Sequence, residues 1–158
     1  MRTLIGLALV LWTVGAEAAP VGPLSVYLVE PCRFVDTRTP QPALREARLG
    51  DQSGPLRHDE TRFYLVQESC EVPLASAGAI LNVTVTDATA PGHLAVSMPG
   101  PVATTSTINF GSGLTIANGA IVKLRAVPPG GQYADLRVYA NIPGGTAHLV
   151  LDVIGYLK

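Results

Sequence analysis

The sequence has few charged residues and no large excess of either sign. Only 15% of its 158 residues are charged, and 11 Lys and Arg residues stand against 12 Asp and Glu residues, for a net charge of -1. Disordered chains are more charged and poorer in apolar residues than this one, which is 47% hydrophobic. Domains that bind nucleic acid are normally basic. The composition therefore predicts a folded protein with no nucleic-acid partner, and the length allows one domain.

Apolar runs of membrane-spanning length are also missing. The uncharged run Leu4–Val14 has only eleven residues, whereas a membrane-spanning helix, the alternative for this run, needs about 20. A single positive residue precedes the run and Ala16–Ala18 follows it with small residues, an order typical of a secretory signal peptide. We predict a signal peptide over residues 1–18, a single domain over residues 19–158 and no transmembrane segment after cleavage. The predicted location is extracytoplasmic, meaning secreted, periplasmic or on the cell surface.

Cysteine is scarce, because Cys32 and Cys70 are the only two. An even number of cysteines in an exported chain favours a disulfide. This bridge would close a loop for which the chain-entropy model gives a stabilisation of about 4 kcal/mol. Two buried free thiols and a metal pair are the alternatives, although a zinc site normally has four ligands.

Sustained helical periodicity is absent outside the predicted signal peptide. Short segments separated by turns with Gly and Pro are typical of an antiparallel sandwich or barrel. We predict an all-β fold, an antiparallel β-sandwich of about 8–10 short strands, with a closed or partly open β-barrel as the alternative. The predicted strands are Ser25–Val29, Phe34–Thr37, Arg62–Gln67, Ile80–Thr86, His93–Met98, Thr105–Phe110, Gly119–Ala126, Leu136–Ala140 and His148–Leu157.

Alternation of apolar and polar residues predicts which faces of two strands are buried. In the strand over residues 80–86, Leu81, Val83 and Val85 share one face. In the last strand, Leu149, Leu151 and Val153 are predicted to face one way. The residues predicted to face the other way are Val150, Asp152, Ile154 and Tyr156.

Charge is concentrated in one part of the chain. Fourteen charged residues lie in residues 30–71 and seven in residues 72–158. The signs alternate in the charged part, and Pro and Gly interrupt it, which predicts an exposed loop over residues 39–60. Surface loops often carry binding functions. The candidate binding residues of this loop are Arg45, Arg48, Asp51, Arg57 and His58.

Patterns that carry catalysis or bind metals are poorly represented. The sequence has three histidines and no Gly-x-Ser-x-Gly, His-x-His or His-x-x-x-His pattern. We therefore predict no enzyme activity, no cofactor and no metal site. A structural calcium ion stays an open alternative, since Asp51, Asp87 and Asp135 lie in predicted turns, where such residues more often bond their own backbone.

Two acidic residues stand in apolar surroundings. Asp36 follows Phe34 and Val35, and Asp152 lies within the apolar last strand. An acid buried there is costly unless it is paired or hydrogen-bonded. We predict that Asp36 or Asp152 is neutralised by an arginine, with Arg38 as the leading candidate. The rival interpretation is that Asp152 faces solvent on an outer sheet face.

Seven motifs occur in a recognisable order along the chain. In this order they resemble a β-rich module common in bacterial secreted proteins, with His93 in place of a usual aromatic residue, over about residues 27–157. The resemblance implies an extracellular or cell-surface domain and carries over no catalytic residues. The motifs are Pro31–Arg38 (PCRFVDTR), Cys70–Pro73 (CEVP), Leu81–Thr86 (LNVTVT), Pro91–Val96 (PGHLAV), Thr105–Phe110 (TSTINF), Ile116–Val122 (IANGAIV) and Val150–Tyr156 (VLDVIGY). The motif residues that the resemblance implies to be buried, structural pairing groups are Asp36, Arg38, Asn82, Asn109, Asn118 and Asp152.

Together these observations predict a secreted, non-catalytic structural or recognition module that binds a surface polymer, a glycan or a protein. One alternative is a subunit that assembles as a homo-oligomer, through sheet edges, into a surface appendage or coat. A secreted hydrolase is the third hypothesis, and it requires a histidine and two carboxylates in one cleft.

Overall fold

The computed structural model describes residues 22–39, 52–101, 104–128, 131 and 133–158. The predicted signal peptide and residues 40–51 of the predicted loop lie outside these described residues. None of the described residues belongs to a helix that is long and apolar enough to cross a membrane.

Nine strands in the described residues form two antiparallel sheets that pack face to face. The five-stranded sheet has the order β1-β9-β4-β7, with β2 also pairing with β9, and the four-stranded sheet has the order β3-β8-β5-β6. The strands are β1 (Val26–Asp36), β2 (Leu56–Arg57), β3 (Glu60–Tyr64), β4 (Gly78–Thr86), β5 (Gly92–Ser97), β6 (Ile108–Phe110), β7 (Ile116–Lys123), β8 (Leu136–Asn141) and β9 (Thr146–Leu157). The predicted all-β sandwich is confirmed, and these strands do not close into a barrel.

Alternating side chains of the central strands β4 and β9 build the core between the sheets. Leu81, Val83 and Val85 are fully buried, as are Leu149 and the other inward residues of β9. The residues between them point to the outer face of the five-stranded sheet, because successive side chains of a strand point to opposite faces. The predicted inner faces of both strands are therefore confirmed.

The prediction for Tyr156 is wrong because β9 contains a bulge. Ile80 pairs with Gly155 but Leu81 pairs with Val153, so Ile154 is an extra residue in the ladder. An extra residue reverses the face of every side chain beyond it. Tyr156 thus lies opposite the buried Ala79 and packs against the core.

The strand bounds differ from the predicted ones by up to a few residues, and the largest differences lie in the first part of the chain. The two segments predicted as separate strands near the start of the chain form the single strand β1, which bends through two irregularities in its pairing with β9. The predicted loop over residues 39–60 contains β2 and the first residue of β3. Leu56 is fully buried in the core, and this anchors the end of that segment to β9.

A disulfide connects the five-stranded sheet to the segment between β3 and β4. Cys32 on β1 is bonded to Cys70, in the segment that follows β3, with the two Cα atoms 5.7 Å apart. The predicted disulfide is therefore confirmed. Close by in sequence, Phe34 and Tyr64 make an edge-to-face contact with ring centroids 6.2 Å apart, so an aromatic contact also joins β1 to β3.

A buried aspartate holds the segment after β3 in place. The two carboxylate oxygens of Asp135 accept the backbone N–H groups of Val66 and Gln67, each at 2.8 Å. The side chain of Gln67 then donates to the carbonyl of Arg125 and accepts from the N–H of Ala75. Burial raises the pKa of the Asp135 carboxyl, against the opposing effect of the backbone hydrogen bonds. Asp135 therefore bonds the backbone of a distant segment, a role that its position in a predicted turn did not indicate.

Candidate ligand-binding surface

A row of polar residues crosses the outer face of the five-stranded sheet. Arg33 pairs with Asp152, Asp152 with Asn82, and Asn82 with Gly119, on the neighbouring strands β1, β9, β4 and β7. Directly opposed residues point to the same face, and adjacent strands lie about 4.8 Å apart, so the row is about 14 Å long. We call these four residues the polar row.

Ion pairs organise one end of the polar row. Arg33 donates from Nε to Oδ1 of Asp152 and from Nη1 to Oδ2 of Asp36, the latter at 3.2 Å. Arg38 makes a two-pronged contact with Asp36, from Nε to Oδ1 at 2.8 Å and from Nη2 to Oδ2 at 2.7 Å. Two arginines and two aspartates thus form one connected cluster with no net charge.

The cluster keeps Asp36 ionised to low pH. Hydrogen bonds from Arg38, helped by the charge of Arg33, lower the pKa of the Asp36 carboxyl to about 2 despite partial burial. The same contacts raise the pKa of both guanidinium groups. At neutral pH Asp36 and the two arginines are therefore charged.

The predicted pair between Asp36 and Arg38 is present, but the partner of Asp152 is Arg33 and not Arg38. Asp152 also lies on an outer sheet face, as the rival interpretation required, with 20% of its side chain exposed. Both interpretations hold, because a half-buried carboxylate on an outer face still gains from a charged neighbour across the strand.

The expectation that all six polar motif residues are buried is wrong. Arg38, Asn109 and Asn118 are exposed, and the other three residues are half-buried. Asn109 and Asn118 lie on the edge strands β6 and β7, where side chains reach solvent. Their amides donate to Ser106 Oγ at 2.9 Å and to the carbonyl of Thr107 at 2.8 Å, so they pair locally and not in the core.

A shallow, open depression of about 520 Å³ lies over the polar row. Gly119 leaves room on one side, because a Cβ atom built there would meet no atom within 4 Å. Two apolar side chains on the same outer face are largely exposed, Leu28 at 80% and Ile121 at 70%. The residues lining the depression are Pro31, Arg33, Asn82, Gly119, Asp152 and Ile154.

Only part of the predicted binding loop falls within the described residues. Arg45, Arg48 and Asp51 lie outside them. Arg57 is exposed on β2, and its backbone N–H donates to Glu60. His58 is also exposed, and its Nδ1 accepts the N–H of Ile142 at 3.2 Å. These two residues belong to the end of the sandwich and not to the depression.

The side chain of His148 contacts a threonine from the other end of the chain. His148 Nδ1 contacts the hydroxyl of Thr37 at 2.9 Å, and that hydroxyl also accepts the N–H of Leu149. This contact joins the residue that follows β1 to the start of β9. Among the described residues there is no group of three or more His, Cys, Asp or Glu side chains arranged to hold a metal ion.

Sequence reasoning found Asn82 and Asp152 but missed four residues of the depression. Arg33 could have been suspected, because it stands in the same motif as Asp36. The other three residues have no polar or charged side chain that would mark them in the sequence. The pairing register of the strands brings them to the depression, and they are Pro31, Gly119 and Ile154. A pattern within one strand does not reveal that register.

Comparison of the chain with models of protein families, with curated proteins and with solved structures gives no match, so the motif resemblance stays a prediction.

Proposed function

We propose that this protein is an exported, non-catalytic recognition module and that it binds a hydroxyl-rich polymer, a glycan, in the depression over the polar row. The observation that carries the proposal is the polar row itself. It sets carboxylate, amide and guanidinium groups side by side on an open sheet face, next to apolar side chains. Ligand sites generally combine a few fixed polar groups with an apolar lining.

The hydrogen-bonding groups of the polar row suit sugar hydroxyls. A hydroxyl both donates and accepts, so it can bond to a carboxylate and to an amide at once. Asp152 offers acceptor oxygens, and Arg33 has N–H donors that its two ion pairs do not use. The Asn82 amide supplies both a donor and an acceptor. No side-chain hydrogen bond within the described residues occupies the Asn82 amide.

The charge balance of the site favours a neutral ligand. The two arginines and two aspartates of the cluster cancel, so neither a strongly acidic nor a strongly basic polymer gains from long-range attraction. Ile154 and Pro31 offer apolar surface to the C–H face of a sugar ring. The open, shallow shape also suits a segment within a long chain, which needs free space at both ends.

The disulfide supports the proposed location. Bonds of this kind persist in oxidising compartments, such as the periplasm and the extracellular space. A module that meets a surface polymer has to be in one of them.

Binding to soluble oligosaccharides, screened on a glycan array and titrated by calorimetry, tests the proposal. Asn82→Ala removes hydrogen bonds from the middle of the row, and we expect it to weaken binding by about tenfold, the loss of about 1.4 kcal/mol. Asn109→Ala is the matched control, because this exposed asparagine lies on β6 of the other sheet. Equal affinity of Asn82→Ala and wild type would place the ligand elsewhere.

A second pair of variants separates the depression from the sequence-predicted loop. Arg57→Ala and His58→Ala change the described end of that loop and leave the polar row intact. If these two variants abolish binding while Asn82→Ala does not, the loop is the contact surface and the proposal for the depression is wrong.

A further inference from the structure

The edge strand β7 is unusual among the sheet edges of the described residues. Its eight residues pair with β4 without any register shift, and they include no proline and one charged residue, Lys123. The opposite edge β1 is bent by two irregularities, β3 carries Glu60 and Arg62, and β6 has only three residues. Bulges, charges and short length protect an edge against pairing with another chain. β7 lacks these protections except for the lysine at its end.

The backbone groups on the free side of β7 can be assigned from the ladder. The N–H of Leu124, next to the strand, donates to the carbonyl of Ala77 on the β4 side at 3.0 Å. The N–H and C=O of a residue in an antiparallel strand point to the same side, and this side alternates along the strand. The backbone N–H and C=O groups of the even-numbered residues of β7 therefore point towards β4. The residues that direct both groups to the free side are Ala117, Gly119, Ile121 and Lys123.

We propose that β7 pairs antiparallel with β7 of a second copy of this chain, around a two-fold axis at Ala120. This register opposes Gly119 to Ile121 of the second copy and Ala117 to Lys123 of the second copy, twice each by symmetry. In each copy, all four residues whose backbone groups point to the free side then exchange hydrogen bonds with the other copy, about eight bonds in total. Shifting the register by two residues in either direction leaves about six hydrogen bonds between the two copies.

Side-chain shape and charge favour this self-pairing. Ile121 is an exposed apolar residue, and its neighbour across the axis would be Gly119, which has open space where a side chain would stand. A large and a small residue thus lie side by side. Lys123 meets Ala117, and the two lysines end up about 20 Å apart along the strand direction, so like charges do not oppose each other.

The pairing would also complete the depression. Gly119 forms its β7 side, and Ile121 of the second copy would stand directly beside that glycine. Two depressions would then lie on one continuous ten-stranded face, with their Asn82 residues about 16 Å apart. If the depressions bind glycan as proposed above, a polymer would contact both and gain avidity. The self-association itself does not depend on that function.

The oligomeric state of the purified chain, measured by sedimentation equilibrium and light scattering without any ligand, tests the inference. We expect a monomer–dimer equilibrium from micromolar to near-millimolar concentration, and a shift to monomer in Ile121→Lys. Leu28→Lys is the matched control, since this exposed apolar residue lies on the same outer face but on the opposite edge strand. It should keep the dimer. A chain that stays monomeric throughout, or a dimer that Ile121→Lys leaves intact, would overturn the proposal.

Cysteine cross-linking tests the register and stays informative if Ile121→Lys folds poorly. At the two-fold axis the Cα atoms of the two Ala120 residues would be about 4.5 Å apart, so Ala120→Cys should form an intermolecular disulfide. The two Gly119 residues would be diagonal neighbours, about 7–8 Å apart, and Gly119→Cys should not. Cross-linking of neither variant, or of Gly119→Cys alone, would contradict this register. Since no glycan is present, failure here leaves the proposed function untouched.

Discussion

At the scale of single residues, the ion-pair cluster on the outer face explains how a carboxylate survives in apolar surroundings. The side chain of Asp36 is only 13% exposed, and its carboxylate forms ion pairs with two guanidinium groups. Its stabilisation comes from short hydrogen bonds to Arg38 more than from charge at a distance. A carboxylate bound in this way has a lower pKa in the folded protein than in the unfolded chain, and its protonation state is therefore linked to stability.

This linkage predicts how Asp36 affects stability as a function of pH. A lowered pKa means that the contribution is complete above about pH 4, the unfolded value, and is lost as the pH falls through about 2. Because the arginines are half exposed to solvent, we expect about 1–2 kcal/mol at neutral pH. Asp36→Asn should be less stable than wild type by this amount at pH 7 in urea unfolding.

The pH dependence separates this effect from a general packing defect. The difference between wild type and Asp36→Asn should shrink between pH 4 and pH 2, because wild type loses the ionised carboxylate there. A difference that stays constant from pH 7 to pH 2 would show that the cluster does not act through ionisation.

At the scale of elements, the segment between β3 and β4 is held by polar groups and not by a strand ladder. Asp135, just before β8, binds two consecutive backbone N–H groups of that segment. Gln67 adds two further bonds, and the disulfide holds the same segment from the other side. The segment also has four non-glycine residues with positive φ, a strained backbone that needs such anchors. The residues with positive φ are Glu68, Cys70, Glu71 and Ala75.

Asp135→Asn tests this anchoring. Asparagine replaces one acceptor oxygen with an NH₂ group, which would face a backbone N–H and leave it unsatisfied. A buried donor without a partner costs about 1–3 kcal/mol, and we expect this loss of unfolding free energy in chemical denaturation. Asp87→Asn is the control, because Asp87 is an exposed turn residue with a φ of 54°, which asparagine tolerates. A loss as large in Asp87→Asn would remove the special role of Asp135.

At the scale of the whole molecule, the sandwich is stabilised by its core, and the disulfide adds a covalent link from β1 to the segment between β3 and β4. Inward residues from both sheets are fully buried, among them Leu81, Leu94, Leu136 and Leu151. A core of this kind keeps a domain of this size folded without a cross-link. The bridge then mainly limits the freedom of the unfolded chain.

Removing the bridge should therefore weaken the fold without abolishing it. The cysteines are 38 residues apart, so we expect Cys32→Ala/Cys70→Ala to lose about 2–4 kcal/mol. Guanidinium unfolding measures this loss, and wild type treated with a reductant should show the same decrease while the double variant does not respond. An unfolded double variant would mean that the core alone is insufficient.

Much of this architecture could be predicted from the sequence, because alternation within a strand is a local signal. Leu81, Val83 and Val85 revealed both the strand and its buried face. The position of Tyr156 could not be predicted in the same way, since the bulge at Ile154 becomes visible only when β9 is paired with β4. The partner of Asp152 was missed for a related reason, because Arg33 stands 119 residues away and its register is set by the sheet.

The position of β9 at the centre of its sheet affects when the sheet can form during synthesis. This strand, Thr146–Leu157, pairs with β1, β2 and β4, yet β1 is synthesised more than a hundred residues earlier. At ribosomal rates the early strands wait on the order of ten seconds for their central neighbour. During that interval β1 and β4 lack the neighbour with which they pair in the folded sheet, so we expect the five-stranded sheet to form only after β9 has been synthesised.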